Sequence, residues 1–157
     1  YDKHKDLNPG SNYFSFNPSW AATWMPAPRW EMSWRLNYLY NFKNNDPASS
    51  SAQVFEGQPV RDTQAGQSAW ANFTVSYEVF PKVSLGINGY YFRQITDDQA
   101  NGDRLSNSRE KVLGIGPGLF WKINEEQAFW LNTYKETGVE NRSKTDYAMQ
   151  VRYVHKF

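Results

Sequence analysis

Apolar residues recur at every second position along most of this chain, and that period predicts strands with one apolar and one polar face. In YFSFNPSWAATW, Phe14, Phe16, Trp20 and Trp24 share one side, with Ser15, Asn17, Ser19 and Thr23 on the other. WEMSWRLNYLYNFK sets Trp30, Met32, Trp34, Leu36, Tyr38, Tyr40 and Phe42 against Glu31, Ser33, Arg35, Asn37, Leu39, Asn41 and Lys43. WANFTVSYEVF alternates Phe73, Val75, Tyr77 and Val79 with Asn72, Thr74, Ser76 and Glu78. VSLGINGYYFRQ sets Val83, Leu85, Ile87 and Tyr91 against Ser84, Gly86, Asn88 and Tyr90. KVLGIGPGLFWK sets Leu113, Ile115, Pro117, Leu119 and Trp121 against Gly114, Gly116 and Gly118. QAFWLNTYKE is less regular: with Phe129 and Leu131 on the apolar side, Trp130 joins Asn132 and Tyr134 on the polar one. The closing TDYAMQVRYVHKF brings the count to about seven strands in an all-β, antiparallel chain.

The strand from Trp30 outruns the five or six residues usual in soluble sheets, and the connections alternate in length. MPAPR, FPK and NEE are short, whereas 44–67 and 96–108 are long and polar. Short turns at one rim and long loops at the other are the habit of transmembrane β-barrels, whose short turns lie in the periplasm. Trp20, Trp24, Trp30, Trp34 and Trp121 gather near the short turns, as an interfacial girdle does. A soluble β-sandwich also alternates, but it needs a second sheet to cover so aromatic a face. Counting back from a last strand that descends to the periplasm, the first of about seven strands starts outside. The chain is therefore expected to be one domain, 1–157, forming the C-terminal part of a longer barrel. Its N-terminal part would pair with the two open edges, since unpaired backbone in hydrocarbon costs several kcal/mol per group.

Composition agrees with a membrane setting. The chain has 7 Trp, 10 Tyr and 10 Phe, yet its mean hydropathy is −0.78. No apolar run approaches the roughly 20 residues of a membrane helix. Lysine and arginine number 17 against 16 acids, so charge gives no case for a nucleic-acid partner. The expected surroundings are a lipid bilayer with lipopolysaccharide, in the bacterial outer membrane. Cysteine is absent, which removes disulfides and thiolate metal sites.

Chemistry on the polar faces points to a lined passage rather than to catalysis. Arg35, Asn37, Asn72, Glu78, Asn88, Tyr90 and Arg152 are the candidate lumen-lining and binding residues, facing a small-molecule permeant. Inward charges are expensive unless paired or hydrated, and a hairpin joined near Lys43 and Ser68 would bring Arg35 close to Glu78. Gly114, Gly116 and Gly118 leave a strip of wall without side chains, against which a loop, Tyr90 and Phe92, or a ligand would lie. The only histidines are His4 and His155, which do not suggest a converging catalytic set. Asp97, Asp98 and Asp103 could meet a divalent cation, but DDQANGD lacks EF-hand spacing and reads as a solvated loop. No cofactor or metal is expected. The rival functions are a plugged, structural barrel and an outer-membrane hydrolase.

Two resemblances sharpen the expectation. The last strand, with apolar residues at alternate positions and Phe157 at its end, resembles the signal read by bacterial barrel-assembly machinery, with His155 as a departure. YNFKNND, GINGYYFRQITDDQANGDR, VLGIGPGLFW and VENRSK resemble the outer-membrane channel family linked to the meta-pathway of phenol degradation. That resemblance covers residues from about 10 to the end. It implies a 12-stranded barrel about twice this length, and passive uptake of small hydrophobic or aromatic biodegradation substrates.

Overall fold

The computed structural model describes residues 12–47 and 54–157, and every regular element among them is a strand. In chain order these are β1 (Ser15–Phe16), β2 (Ser19–Trp24), β3 (Trp30–Asn41), β4 (Val54–Phe55), β5 (Gln58–Pro59), β6 (Thr63–Gln64), β7 (Ser68–Phe80), β8 (Val83–Gln94), β9 (Gln99–Ala100), β10 (Asp103–Arg104), β11 (Lys111–Lys122), β12 (Gln127–Glu140) and β13 (Ala148–His155). His4 and its lead-in fall outside the described residues.

The main sheet runs β1-β3-β7-β8-β11-β12-β13, with β2 also on β3. The expected first strand is thus broken in two at Asn17 and Pro18. Proline has no N–H to give a ladder and is tolerated on an edge strand. The break is bridged by Asn17 Nδ2, which donates to the Tyr38 carbonyl at 2.9 Å, and by the Tyr38 N–H to the Pro18 carbonyl at 3.1 Å. The path has two ends, and no described strand joins β13 to β2 or β1.

Burial is inverted relative to a soluble domain. Among the described residues the buried hydrophobic ones are Ala100 and Val112, whereas the buried polar ones are Asn41, Asn44, Ser68, Asn88, Gln94 and Glu136. Leu36 is 46% exposed, Ile87 55% and Met149 71%. Water-facing apolar surface of this extent is a liability, while lipid makes it the favoured outer face. A sandwich packs its alternating apolar face into a core; this sheet leaves that face bare.

The chain forms two compact units. One comprises Ser19–Asn37, Trp70–Phe92 and Glu110–Phe157, and holds the long pairings. Its β11–β12 register includes Gly118 with Asn132 and Phe120 with Trp130, and the β12–β13 register sets Trp130 opposite Arg152. Near its short turns, Trp30 packs on Tyr77 with ring centroids 5.1 Å apart. The Arg29 guanidinium lies over the same Tyr77 ring at 5.0 Å.

The other unit takes Tyr38–Ala69 and Arg93–Arg109, with the residues up to Pro18. The segments 44–67 and 96–108, expected as long loops, carry short strands here: β6, β9 and β10 form a three-stranded sheet and β4 pairs β5. Two-residue turns make these hairpins. Asn101 and Gly102 have φ of 55° and 86°, and Glu56 and Gly57 have 49° and 78°, the left-handed pair that a twisted hairpin prefers. Asn101 then ties the two segments, accepting from the Arg61 N–H at 2.8 Å and donating to the Pro59 carbonyl at 3.0 Å.

Candidate functional site

The polar face of the Ser19–Asn37, Trp70–Phe92 and Glu110–Phe157 unit is built around the glycine strip of β11. A Cβ on Gly114 would overlap the Tyr90 ring, one on Gly116 the Thr133 carbonyl oxygen, and one on Gly118 the Asn88 amide oxygen. The strip is a trough, and two β8 side chains lie in it. Tyr90 crosses β11 to donate its hydroxyl to Glu136 on β12 at 2.7 Å, and Asn88 reaches the Thr133 carbonyl at 3.4 Å. Glu136 also accepts the Thr145 N–H at 2.5 Å. Of the neighbours open on sequence, Tyr90 is the one that fills the place, the usual aromatic cover for a strand glycine.

Beside this trough lies a cavity of about 580 Å³, whose wall includes Ala21, Ser33, Arg35, Asn72, Asn88, Tyr134 and Arg152. Residues of β2 and of β13 line it together, so the polar face within this unit is concave. Arg35 sits opposite Ala21 in the β2–β3 register, and the small partner leaves the guanidinium room. Among the described residues no carboxylate lines this cavity, and neither the Arg35 nor the Arg152 side chain has an ion pair or a hydrogen bond.

A second cavity, of about 360 Å³, shares Ser33, Thr74 and Asn88 with the first and adds Glu31, Phe120 and Trp130. The Phe120 and Trp130 rings pack with centroids 5.0 Å apart. The polar-side placement of Trp130, irregular on sequence, is thus the second half of an aromatic pair on the polar wall. Sequence parity placed Trp130 there but gave it no role.

Of the candidate residues, the structure brings Arg35, Asn72, Asn88 and Arg152 to one cavity. Tyr90 is a strut across the trough, and the buried Asn37 Nδ2 has no hydrogen-bond partner among the described residues. Glu78 is elsewhere, and the expected closeness of Arg35 and Glu78 is not found. The Glu78 N–H donates to the Arg29 carbonyl at 2.8 Å, and its carboxylate accepts the Lys82 N–H at 2.8 Å. Glu78 thereby closes the short turns, in a cavity with Arg29, Lys82 and Ser84. A slide by whole pleats keeps each side chain on its face while changing its cross-strand partner. His155 packs edge-on against Phe157 at 4.7 Å and lines neither cavity.

In the other unit the acidic turn residues are engaged internally. Arg109 grips Asp97 through Nε at 2.9 Å and its second nitrogen at 3.1 Å. That hydrogen-bonded guanidinium holds the Asp97 carboxyl below its ordinary value. Asp98 accepts the Gly66 N–H at 2.7 Å and the Gln94 amide at 2.8 Å.

Residues 1–153 match the family described as the MetA-pathway of phenol degradation. The fold is similar to the crystal structure of an outer membrane channel from Pseudomonas putida F1, with a TM-score of 0.78 at 20% identity. All of this chain is covered, against 55% of that one, so the chain spans little more than half the length of that channel. No curated protein matches.

Proposed function

Because the chain belongs to the family described as the MetA-pathway of phenol degradation, we propose that it forms part of a bacterial outer-membrane channel for passive uptake of small molecules. The observation that carries this reading is the inverted burial: bare apolar side chains on one face and a polar, arginine-bearing cavity on the other. A wet lumen is the natural place for charged side chains that have no protein partner. In this reading Arg35, Asn72, Asn88 and Arg152 line the water path. Tyr90 braces its wall, and Glu78 stands at the end with the short turns. The permeants are small, hydrophobic or aromatic biodegradation substrates, the class of compound that the family description points to.

Closing the sheet takes further strands on the open edges of β2 and β13. We assign them to an N-terminal part of the same barrel, five strands if the whole has 12, set in lipid and lipopolysaccharide. The reading includes no catalysis, cofactor or nucleic acid. A plugged structural barrel is the alternative that Tyr90 and Asn88 favour, since both project over the polar face. Planar-bilayer recording on the full-length protein decides between them. Steady unitary currents are expected, and a silent but folded and inserted protein would mean a plug.

A further inference from the structure

The two cavities of the long-stranded unit differ in a way that specifies a solute. The first holds two guanidinium groups, amides and hydroxyls, and among the described residues no acid. The second holds the Phe120–Trp130 pair. The link between them is a single cross-strand row: Phe120 on β11 is opposite Trp130 on β12, which is opposite Arg152 on β13. Side chains directly opposite in an antiparallel sheet have Cβ atoms about 4.5–5.5 Å apart. Arg152 therefore stands next to the aromatic pair while lining the first cavity.

We propose that this row, with Arg35, is a recognition site for a small aromatic carboxylate. The guanidinium groups take the carboxylate, since their planar donors match two carboxylate oxygens at once. The ring lies against Phe120 and Trp130, where offset or edge contact between rings adds to the burial of apolar area. Ser33, Thr74 and Asn88 border both cavities and offer hydroxyl and amide groups to the solute between the two. Glu31 marks the other limit. It lines the aromatic cavity but not the arginine one, and accepts from Ser33 Oγ at 3.0 Å. An anion is thus drawn toward Arg152 and away from Glu31, which orients it in the passage. An uncharged ring has no use for the two arginines, and an aliphatic anion none for the aromatic pair.

This inference rests on the channel reading above, and a binding measurement separates the two. The probe is para-fluorobenzoate, followed by fluorine NMR on the full-length protein in detergent, with para-fluorobenzyl alcohol and a fluorinated cyclohexanecarboxylate as the uncharged and non-aromatic controls. Fluorobenzoate is expected to bind more tightly than either control. Arg152→Gln is expected to weaken it about tenfold, the size of a lost charge-assisted pair. Trp130→Leu is expected to weaken it about threefold while leaving the cyclohexane acid unaffected. Unchanged heat-modified gel migration certifies that each variant is folded. Arg35→Gln, which leaves the row intact, is the second variant should Arg152→Gln not fold. Equal binding of all three probes, or full retention in both arginine variants, overturns the proposal. Binding without conductance retains the site but sinks the channel, whereas conductance without selective binding does the reverse.

Discussion

The two units use polar side chains in opposite ways. In the unit of Tyr38–Ala69 and Arg93–Arg109, polar groups are spent on one another. Asn41 Nδ2 donates to the Gly66 carbonyl at 3.0 Å, Asp98 holds the Gly66 N–H and the Gln94 amide, and the Gln67 N–H goes to Thr96 Oγ1 at 2.9 Å. In the unit of the long strands, Arg35 and Arg152 face a cavity with no described partner. A network with every member satisfied rigidifies its surroundings. A charge kept unpaired on a hydrated wall stays available to a solute. Polarity alone therefore identifies neither role; what each polar atom already touches does.

The sharpest test of the difference is Leu36→Arg, on the bare apolar face of β3. If Leu36 lies near the bilayer midplane, the variant should lose about 2–4 kcal/mol of stability in lipid. Val54→Arg, also at an exposed apolar position but in the unit of short hairpins, should stay within about 0.5 kcal/mol of wild type. Urea titrations of the full-length protein in liposomes measure both. Equal losses would mean that the two units meet the same solvent.

Next in size is Asp98→Ala. It strips the partner from the Gly66 N–H and the Gln94 amide, at a cost of about 1.5–3 kcal/mol for bonds to a charged acceptor. Hydrogen exchange should quicken at Gly66 and around Gln94, with unitary conductance unaltered. A changed conductance with unchanged exchange would move Asp98 from scaffold to passage.

Gly116→Ala probes the trough. Its Cβ would meet the Thr133 carbonyl oxygen, backbone that cannot swing aside as a side chain can. Overpacking of this kind costs about 1–3 kcal/mol. Gly57→Ala is the contrast, because that position has open space and only its φ of +78° to strain it. A silent Gly116→Ala would show that β11 and β12 are free to separate.

Most of the long-strand unit was legible, because a sheet with one apolar and one polar face writes the two into alternate positions. The strands of 12 to 14 residues from Trp30, Ser68, Val83, Lys111 and Gln127 follow that alternation, and Arg35, Asn72, Asn88 and Arg152 line one cavity. Register was not legible. The parity of Glu78 was clear, but its partners, Arg29 and Lys82, are set where the short turns close. The short hairpins escaped for a different reason: two residues of strand give no period to detect. Asn101-Gly102 was nonetheless a visible signal, since that dipeptide favours a two-residue hairpin turn, and 96–108 read as a loop only because its flanking strands are so short. The aromatic pair was half visible, as Trp130 fell on the polar side without a partner until Phe120 was placed opposite.

The smallest expected effect concerns acid. Asp97 has its folded-state pKa lowered, chiefly by the hydrogen-bonded Arg109 and secondarily by the charges of Arg109 and Arg104. A depressed acid contributes stability that is fully present above its unfolded value, about 3.9, and is lost as pH falls through the lower folded value. The Asp97–Arg109 pair should therefore hold the 96–108 segment unchanged from neutrality to about pH 4 and release it only below. Arg109→Gln removes the cause, so Asp97 should titrate closer to the ordinary aspartate value. The pair is solvated, and screening by salt keeps the effect small. Hydrogen exchange at Thr96 and Gln99 between about pH 2.5 and 5 would read it. Protection that falls instead around neutral pH, or that is indifferent to Arg109→Gln, would assign the stability of this segment to the Asp98 network alone.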